Sequence, residues 1–347
     1  MKKKNVLNLI KYYAEHNDSG FRNEAYQIAD SFYNAGDREL AEYIIAVLSG
    51  VNTFAPQEAQ DGKTYTFLRK IEYSKEPLPL PDCIKEDIDG VINAINYDAG
   101  INKFLFQGAP GTGKTETAKQ IARILNRIIY RVDFETIIDS NLGQTSKNII
   151  ELFEEINHLS NPYNAIILFD EIDALVMNRM NSNDMREMGR ATSSFLKGFD
   201  ELNEHVIVIA TTNLYKEFDK ALIRRFDSVI DFNRYSGDDL ENIAVILLDY
   251  YLPKFPYAER NVRLFRKIIR LMDPIPCPGD MKNMIRTALA FGNPSNPYSY
   301  LVKLYLNTNN PNLNNINHLK EEGFTVREIE ALTGVSRSQV TRRLRGE

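Results

Sequence analysis

Gly108-Ala109-Pro110-Gly111-Thr112-Gly113-Lys114-Thr115 fits the pattern GxxxxGK[ST], and its flanks decide the fold. The short apolar run Phe104-Leu105-Phe106 before it reads as a strand. The segment Glu116 to Arg127 after it carries Ala118, Ile121, Ala122 and Leu125 at helical spacing. Glycines let successive backbone N–H groups curl around an anion where a Cβ would clash, and the helix N-terminus adds partial positive charge. The stretch 108–116, with Glu116 opening the helix, is therefore a nucleoside triphosphate cradle. Lys114 would reach the β- and γ-phosphates, and the Thr115 hydroxyl would ligate Mg²⁺.

Such a loop needs a second, acidic site. Ala165-Ile166-Ile167-Leu168-Phe169 is a continuous apolar run, as expected of a parallel strand buried on both faces, and it ends at Asp170-Glu171-Ile172-Asp173. Carboxylates at the carboxyl end of such a strand lie where open α/β sheets bind ligands. Asp170 would hold Mg²⁺ through its water shell, and Glu171 would polarise the hydrolytic water. A third strand, Val206–Ala210, ends in Thr211-Thr212-Asn213, and Asn213 there can hydrogen-bond the γ-phosphate or the water. Further on stands Asp219-Lys220-Ala221-Leu222-Ile223-Arg224-Arg225-Phe226-Asp227.

These ordered motifs resemble the AAA ATPases over roughly residues 80–306. Walker A falls at 108–115, Walker B at 165–173, sensor 1 at Asn213 and the second region of homology at 211–227. The resemblance implies an α/β fold: a AAA+ core of parallel sheet with flanking helices, plus a helical lid. It implies ATP and Mg²⁺ as ligands, ATP hydrolysis and an ATP-dependent homo-oligomer of hexameric-ring type. It also implies that Arg224 and Arg225 reach the neighbouring subunit's ATP site. A guanidinium opposite the developing charge of phosphoryl transfer can contribute 10³–10⁵ in rate, roughly 4–7 kcal/mol. The alternative is an arginine pair bonded locally to Asp219 or Asp227.

The chain departs from the family in two main places, and in a minor one at Leu214, where many relatives have Arg. Protein-threading rings carry an aromatic residue in the first pore loop, whereas Asn141 stands here, followed by Leu142. Gly279 stands where many AAA+ proteins place a sensor arginine.

The 347 residues are 43% apolar, ample for more than one core, and the net charge of −5 gives no global attraction to nucleic acid or anionic membrane. Two distant cysteines, Cys83 and Cys277, suit reduced thiols, and no run approaches a membrane span of ~20 apolar residues. A cytoplasmic protein is expected.

Residues 1–51 read as a bundle of three helices with stripes Val6, Ile10, Tyr13; Phe21, Ala25, Ile28, Phe32; and Leu40, Ala41, Ile44, Leu48, broken at Gly20 and Gly36. The segment is similar to the N-terminal region of bacterial AAA proteins often encoded beside subtilisin-like proteases, which implies a protein partner or client, such as a protease. A connector over 52–82 includes a short strand within Lys63–Ile71 and the non-helical Pro77-Leu78-Pro79-Leu80-Pro81. The nucleotide-binding subdomain spans 83–234 and the lid 235–306. Residues 307–315, rich in asparagine, read as a linker.

Residues 316–347 are similar to the helix-turn-helix of recombinase and resolvase tails. Gly334 sits at the turn and Ser336 at the N-cap of the second helix. Arg337, Ser338, Gln339, Arg342 and Arg343 on that helix would contact DNA: Arg and Gln read base edges, and the later Arg contact phosphates. A helical hairpin with a solvated basic face is the alternative. The composite expectation is a AAA oligomer that remodels a protein or protein–DNA complex while tethered to DNA. The alternative is a DNA-bound regulator in transposition, replication or defence.

Overall fold

The structure, a computed structural model, describes residues 3–14, 18–34, 44, 65–73, 76–97, 99–138, 143–159, 161–173, 185–217 and 220–345. The chain divides into two units, residues 1–64 and 65–347.

In the first unit, α1 (Lys3–Ala14) and α2 (Asp18–Asn34) lie side by side. Asn5 Nδ2 and Asn8 Nδ2 donate to the two carboxylate oxygens of the buried Glu24 at 2.9 and 3.0 Å. Ala25 and Ile28 of the expected second stripe are buried, whereas Ile10 and Tyr13 of the first are 61% and 76% exposed. The contact to α2 thus includes the two asparagines. Gly20 lies inside α2 and breaks nothing, because the helix starts at Asp18. Residues 40–48 of the expected third helix fall outside the described residues except Ile44.

The second unit holds a six-stranded sheet of β1 (Leu68–Lys70), β2 (Lys103–Gln107), β3 (Ile128–Val132), β4 (Ala165–Phe169), β5 (Ile207–Thr212) and β6 (Ser228–Asp231). The order is β1-β3-β4-β5-β2-β6. All pairings are parallel except β1 with β3, so the expected parallel sheet gains one antiparallel edge. Every residue of β4 and β5 is buried, which explains their unbroken apolar reading. One sheet face packs on α6 (Gln144–Asn157) and α7 (Met185–Asp200) through Phe153, Phe169, Phe195 and Phe199. The other packs on α3 (Asp82–Asn96) and α4 (Lys114–Ile124). Short helices α5 (Phe134–Ile137) and α8 (Lys220–Ile223) follow β3 and precede β6. Of the expected connector, the described residues 65–73 and 76–81 belong to the core: they supply β1 and the extended proline run before α3.

The lid comprises α9 (Gly237–Tyr251), α10 (Val262–Arg270), α11 (Pro278–Ala290) and α12 (Ser299–Tyr305). Three further helices follow: α13 (Ile316–Glu321), α14 (Val326–Thr333) and α15 (Arg337–Leu344). Ile316, Leu319, Phe324, Ile329, Leu332 and Val340 are buried in the same apolar cluster as the lid helices. Burying one such side chain contributes about 1.5–3 kcal/mol, so detaching these helices would be costly. The asparagine-rich stretch between them is folded rather than loose. Asn309 Nδ2 donates to Asp273 O at 2.6 Å, and Asn315 Oδ1 caps α13 by accepting from Asn317 N and His318 N. Glu328 ties the tail to α10, accepting Lys267 Nζ at 2.7 Å with Arg263 Nε at 3.5 Å.

No helix among the described residues is long and apolar enough to cross a membrane.

Candidate functional site

β2 runs directly into the phosphate loop. Gly111 and Gly113 take φ of 76° and 97°, the left-handed region that favours glycine. At Gly108 a Cβ would stand 2.9 Å from Phe232 Cβ. Gly113 is the N-cap of α4 and no side chain caps its first turn, so those amides are available to an anion. Ala109 differs from its neighbours: its amide donates to Asn233 Oδ1 at 2.8 Å. Asn233, with Tyr235 Oη donating to Thr112 O at 2.7 Å, pins the loop from the far side of β6.

Lys114 is nearly buried. Its Nζ donates to Gly108 O at 2.7 Å, Ala109 O at 2.9 Å and Asn213 Oδ1 at 2.8 Å. Burial lowers its pKa, while the carboxylates of Asp173, Glu171 and Asp170 act in the opposite direction. Thr115 Oγ1 donates to Asp170 Oδ1 at 2.6 Å. A hydroxyl and a carboxylate oxygen so placed are the hard-oxygen donors Mg²⁺ takes, with phosphates and waters completing its shell. Glu116 lines the same cavity and pairs with Lys119 at 3.3 Å.

The turn after β4 is fastened to the end of β5. Thr211 Oγ1 donates to Asp170 Oδ1 at 2.9 Å and accepts Glu171 N at 2.8 Å. Ile172 N donates to Thr211 O at 3.0 Å. Thr212 Oγ1 donates to Asp173, whose other oxygen accepts Asn213 N at 2.8 Å. Glu171 itself has φ of 52°. For a non-glycine residue that conformation costs about 1–2 kcal/mol, and it persists only where neighbours impose it. Asn213 Nδ2 approaches Glu171 Oε1 at 3.5 Å.

A cavity of about 290 Å³ between sheet and lid is lined by Pro110, Gly111, Gly113, Lys114, Thr115, Glu171, Thr211 and Asn213 on the core side. Leu78 and Pro79, and Leu247, Pro278 and Gly279 of the lid, form its apolar remainder. Lys282 of α11 pairs with Glu76 across its edge, which holds the Glu76 carboxyl below its usual range. Gly279 N donates to Gly111 O at 2.8 Å. A Cβ at Gly279 would stand 3.0 Å from both Gly111 Cα and Gly111 O, which explains why no longer side chain occupies this place.

The structure thus gathers 108–116, Asp170, Glu171 and Asn213 at one end of the sheet, with nucleotide-sized room beside them. Arg224 and Arg225 are not among the residues that line this cavity. Arg225 Nε donates to Asp200 Oδ1 at 2.7 Å and its Nη1 to Ala221 O at 2.6 Å, a local pairing; Asp219, one of the two expected partners, lies outside the described residues. Arg224 is exposed and pairs with no carboxylate among the described residues. Asn141 and Leu142 lie outside the described residues.

Arg337, Ser338, Gln339, Arg342 and Arg343 share the exposed side of α15. Arg337 Nε donates to Glu330 Oε2 at 2.6 Å, so its guanidinium is engaged. Ser336 occupies the N-cap without capping, because its hydroxyl turns to Gln339 Oε1 at 3.2 Å. Gly334 takes φ of 72° at the turn.

The sequence motifs left Thr211, Asn233, Tyr235, Glu76 and Lys282 unassigned. Only Thr211 carried a usable signal, a hydroxyl two residues before Asn213 at the end of an apolar run.

Residues 104–234 match the model of the ATPase family associated with various cellular activities (AAA). The chain therefore carries a AAA ATPase domain. It is 38% identical over 133 residues to an uncharacterized AAA family ATPase of Sinorhizobium fredii, covering 38% of this chain and 39% of that protein. It is 29% identical over 171 residues to a putative 26S proteasome regulatory subunit homolog of Methanothermobacter thermautotrophicus, covering 47% and 44%. The chain thus spans less than half the length of these curated relatives. In fold it is similar to a chain of the HORMA:CdnC:Trip13 complex of E. coli MS115-1, with a TM-score of 0.55 at 18% identity over 71% of this chain and 96% of that one.

Proposed function

We propose that the chain binds Mg·ATP in the sheet–lid cavity, hydrolyses it within an oligomer, and uses the cycle to remodel a protein or protein–DNA complex. The observation that carries this is the convergence of Lys114, Thr115, Glu171 and Asn213 on one cavity, with Asp170 bonded to Thr115 at its edge. Lys114 exchanges its carbonyl partners for phosphate oxygens and neutralises charge on the leaving side. Thr115 and Asp170 would hold Mg²⁺, which supplies electrostatic stabilisation of the phosphates. Glu171 polarises the attacking water, and Asn213, bonded to Lys114 and near Glu171, orients it. Arg224, exposed and without a described carboxylate partner, is the guanidinium suited to a neighbouring subunit's site; Arg225 holds its helix to α7.

Proteins similar to this chain include proteasome-activating and putative proteasome regulatory proteins, which supports a ring that serves a protein partner. The basic side of α15 supports a contact with DNA through Gln339, Arg342 and Arg343. A second reading, ATP-controlled assembly on DNA without threading, is favoured by the core that α13–α15 share with the lid: DNA held by α15 would move with the lid.

Glu171→Gln tests the catalytic reading. ATP binding should persist while turnover falls by about 10²-fold or more. Turnover at the unaltered rate would overturn it.

A further inference from the structure

We infer that Thr211 is a positioning residue for ATP hydrolysis, whose hydroxyl holds Glu171 in the left-handed backbone conformation that aims its carboxylate; the inference rests on the proposed ATPase reading. Among the described residues only Asn126 and Glu171 combine a side chain with positive φ. Asn adopts that region readily, whereas Glu must be held there.

The holding bonds come from one residue. Thr211 Oγ1 accepts Glu171 N at 2.8 Å, and Thr211 O accepts Ile172 N at 3.0 Å. The same hydroxyl donates to Asp170 Oδ1 at 2.9 Å. A single oxygen therefore fixes the metal-side carboxylate relative to the backbone of the water-polarising one. Thr211 is 1% exposed, and both bonds of its hydroxyl go to the turn. Valine keeps the side-chain volume and loses only these two bonds. Thr211 also borders the sheet–lid cavity, but its hydroxyl is engaged by Asp170 and Glu171 N, so its loss acts first on the turn rather than on the phosphate loop.

The test compares the full chain with Thr211→Val and Thr211→Ser. Thr211→Val should lower kcat by about 10- to 100-fold, the scale of an ångström-sized misplacement, with KM and the affinity for a fluorescent ADP analogue changed less than about threefold. Thr211→Ser should recover most of kcat. A crystal structure of Thr211→Val should show Glu171 out of the positive-φ region. A kcat within twofold of the unaltered chain, or Glu171 retaining its positive φ in that crystal, would overturn the inference. Where Thr211→Val does not fold, Thr211→Ala, which also lacks the hydroxyl, takes its place. An unaltered chain without ATP turnover would refute the ATPase reading, while the crystal would still decide whether Thr211 holds the turn.

Discussion

Gly279 N donates to Gly111 O at 2.8 Å, joining the first turn of a lid helix to the phosphate loop itself. The lid and the cradle are thereby in direct backbone contact, so a nucleotide seated at the loop senses the lid's position.

Gly279→Ala should separate them. Its Cβ would meet Gly111 backbone at 3.0 Å, and overpacking of this kind typically costs about 1–3 kcal/mol. We expect ADP affinity to fall by about 5- to 150-fold, measured by fluorescence titration. Unchanged affinity would show that the contact is not maintained when nucleotide binds.

Arg224→Ala and Arg225→Ala should behave differently. Arg225 makes a partly exposed ion pair with Asp200, so its loss should cost up to about 1 kcal/mol and lower Tm slightly. Arg224→Ala should leave Tm unchanged and reduce turnover by about 10³-fold or more. Equal melting shifts in the two variants would contradict the division of roles.

Glu328→Gln should loosen the tail from the lid. The carboxylate is 7% exposed and accepts Lys267 as well as closing the capping box with Thr325. Losing a charged hydrogen bond costs about 1.5–3 kcal/mol, which melting would detect. Burial raises the Glu328 pKa, but the bonds from Lys267 and Thr325 outweigh it and leave it lowered. Its stabilisation is thus complete above the ordinary carboxylate value of 4.5 and declines as pH falls through the lower folded value. The melting difference between unaltered chain and variant should be constant near neutrality and shrink below that value.

Joint Arg342→Ala and Arg343→Ala replacement should weaken duplex DNA binding and reduce the log–log salt slope by about 2. An unaltered slope would remove these residues from any DNA contact.

Much of the nucleotide end was legible in the sequence because β2, β4 and β5 are largely buried and each ends abruptly in a glycine-rich or polar turn. Lys114, Asp170, Glu171 and Asn213 could be ordered by strand without knowing the fold. The antiparallel β1 was faint, since three residues with one buried side chain give almost no periodic signal. Fusion of the tail with the lid was hidden for another reason. Asparagines read as linker by composition, yet Asn309 and Asn315 here make turn and cap bonds. The burial of Phe324 and Ile329 against lid helices depends on contacts distant in sequence. Glu171's left-handed backbone likewise arises from Thr211, a partner forty residues away.

The most direct test of a pocket shared between protomers mixes two inactive variants. Arg224→Ala protomers keep Glu171, and Glu171→Gln protomers keep Arg224, so each alone lacks one half of every site. Under saturating ATP·Mg²⁺ the mixture should hydrolyse ATP well above the sum of the two variants measured separately. A mixture no more active than that sum, together with full activity in Arg224→Ala alone, would contradict the shared pocket.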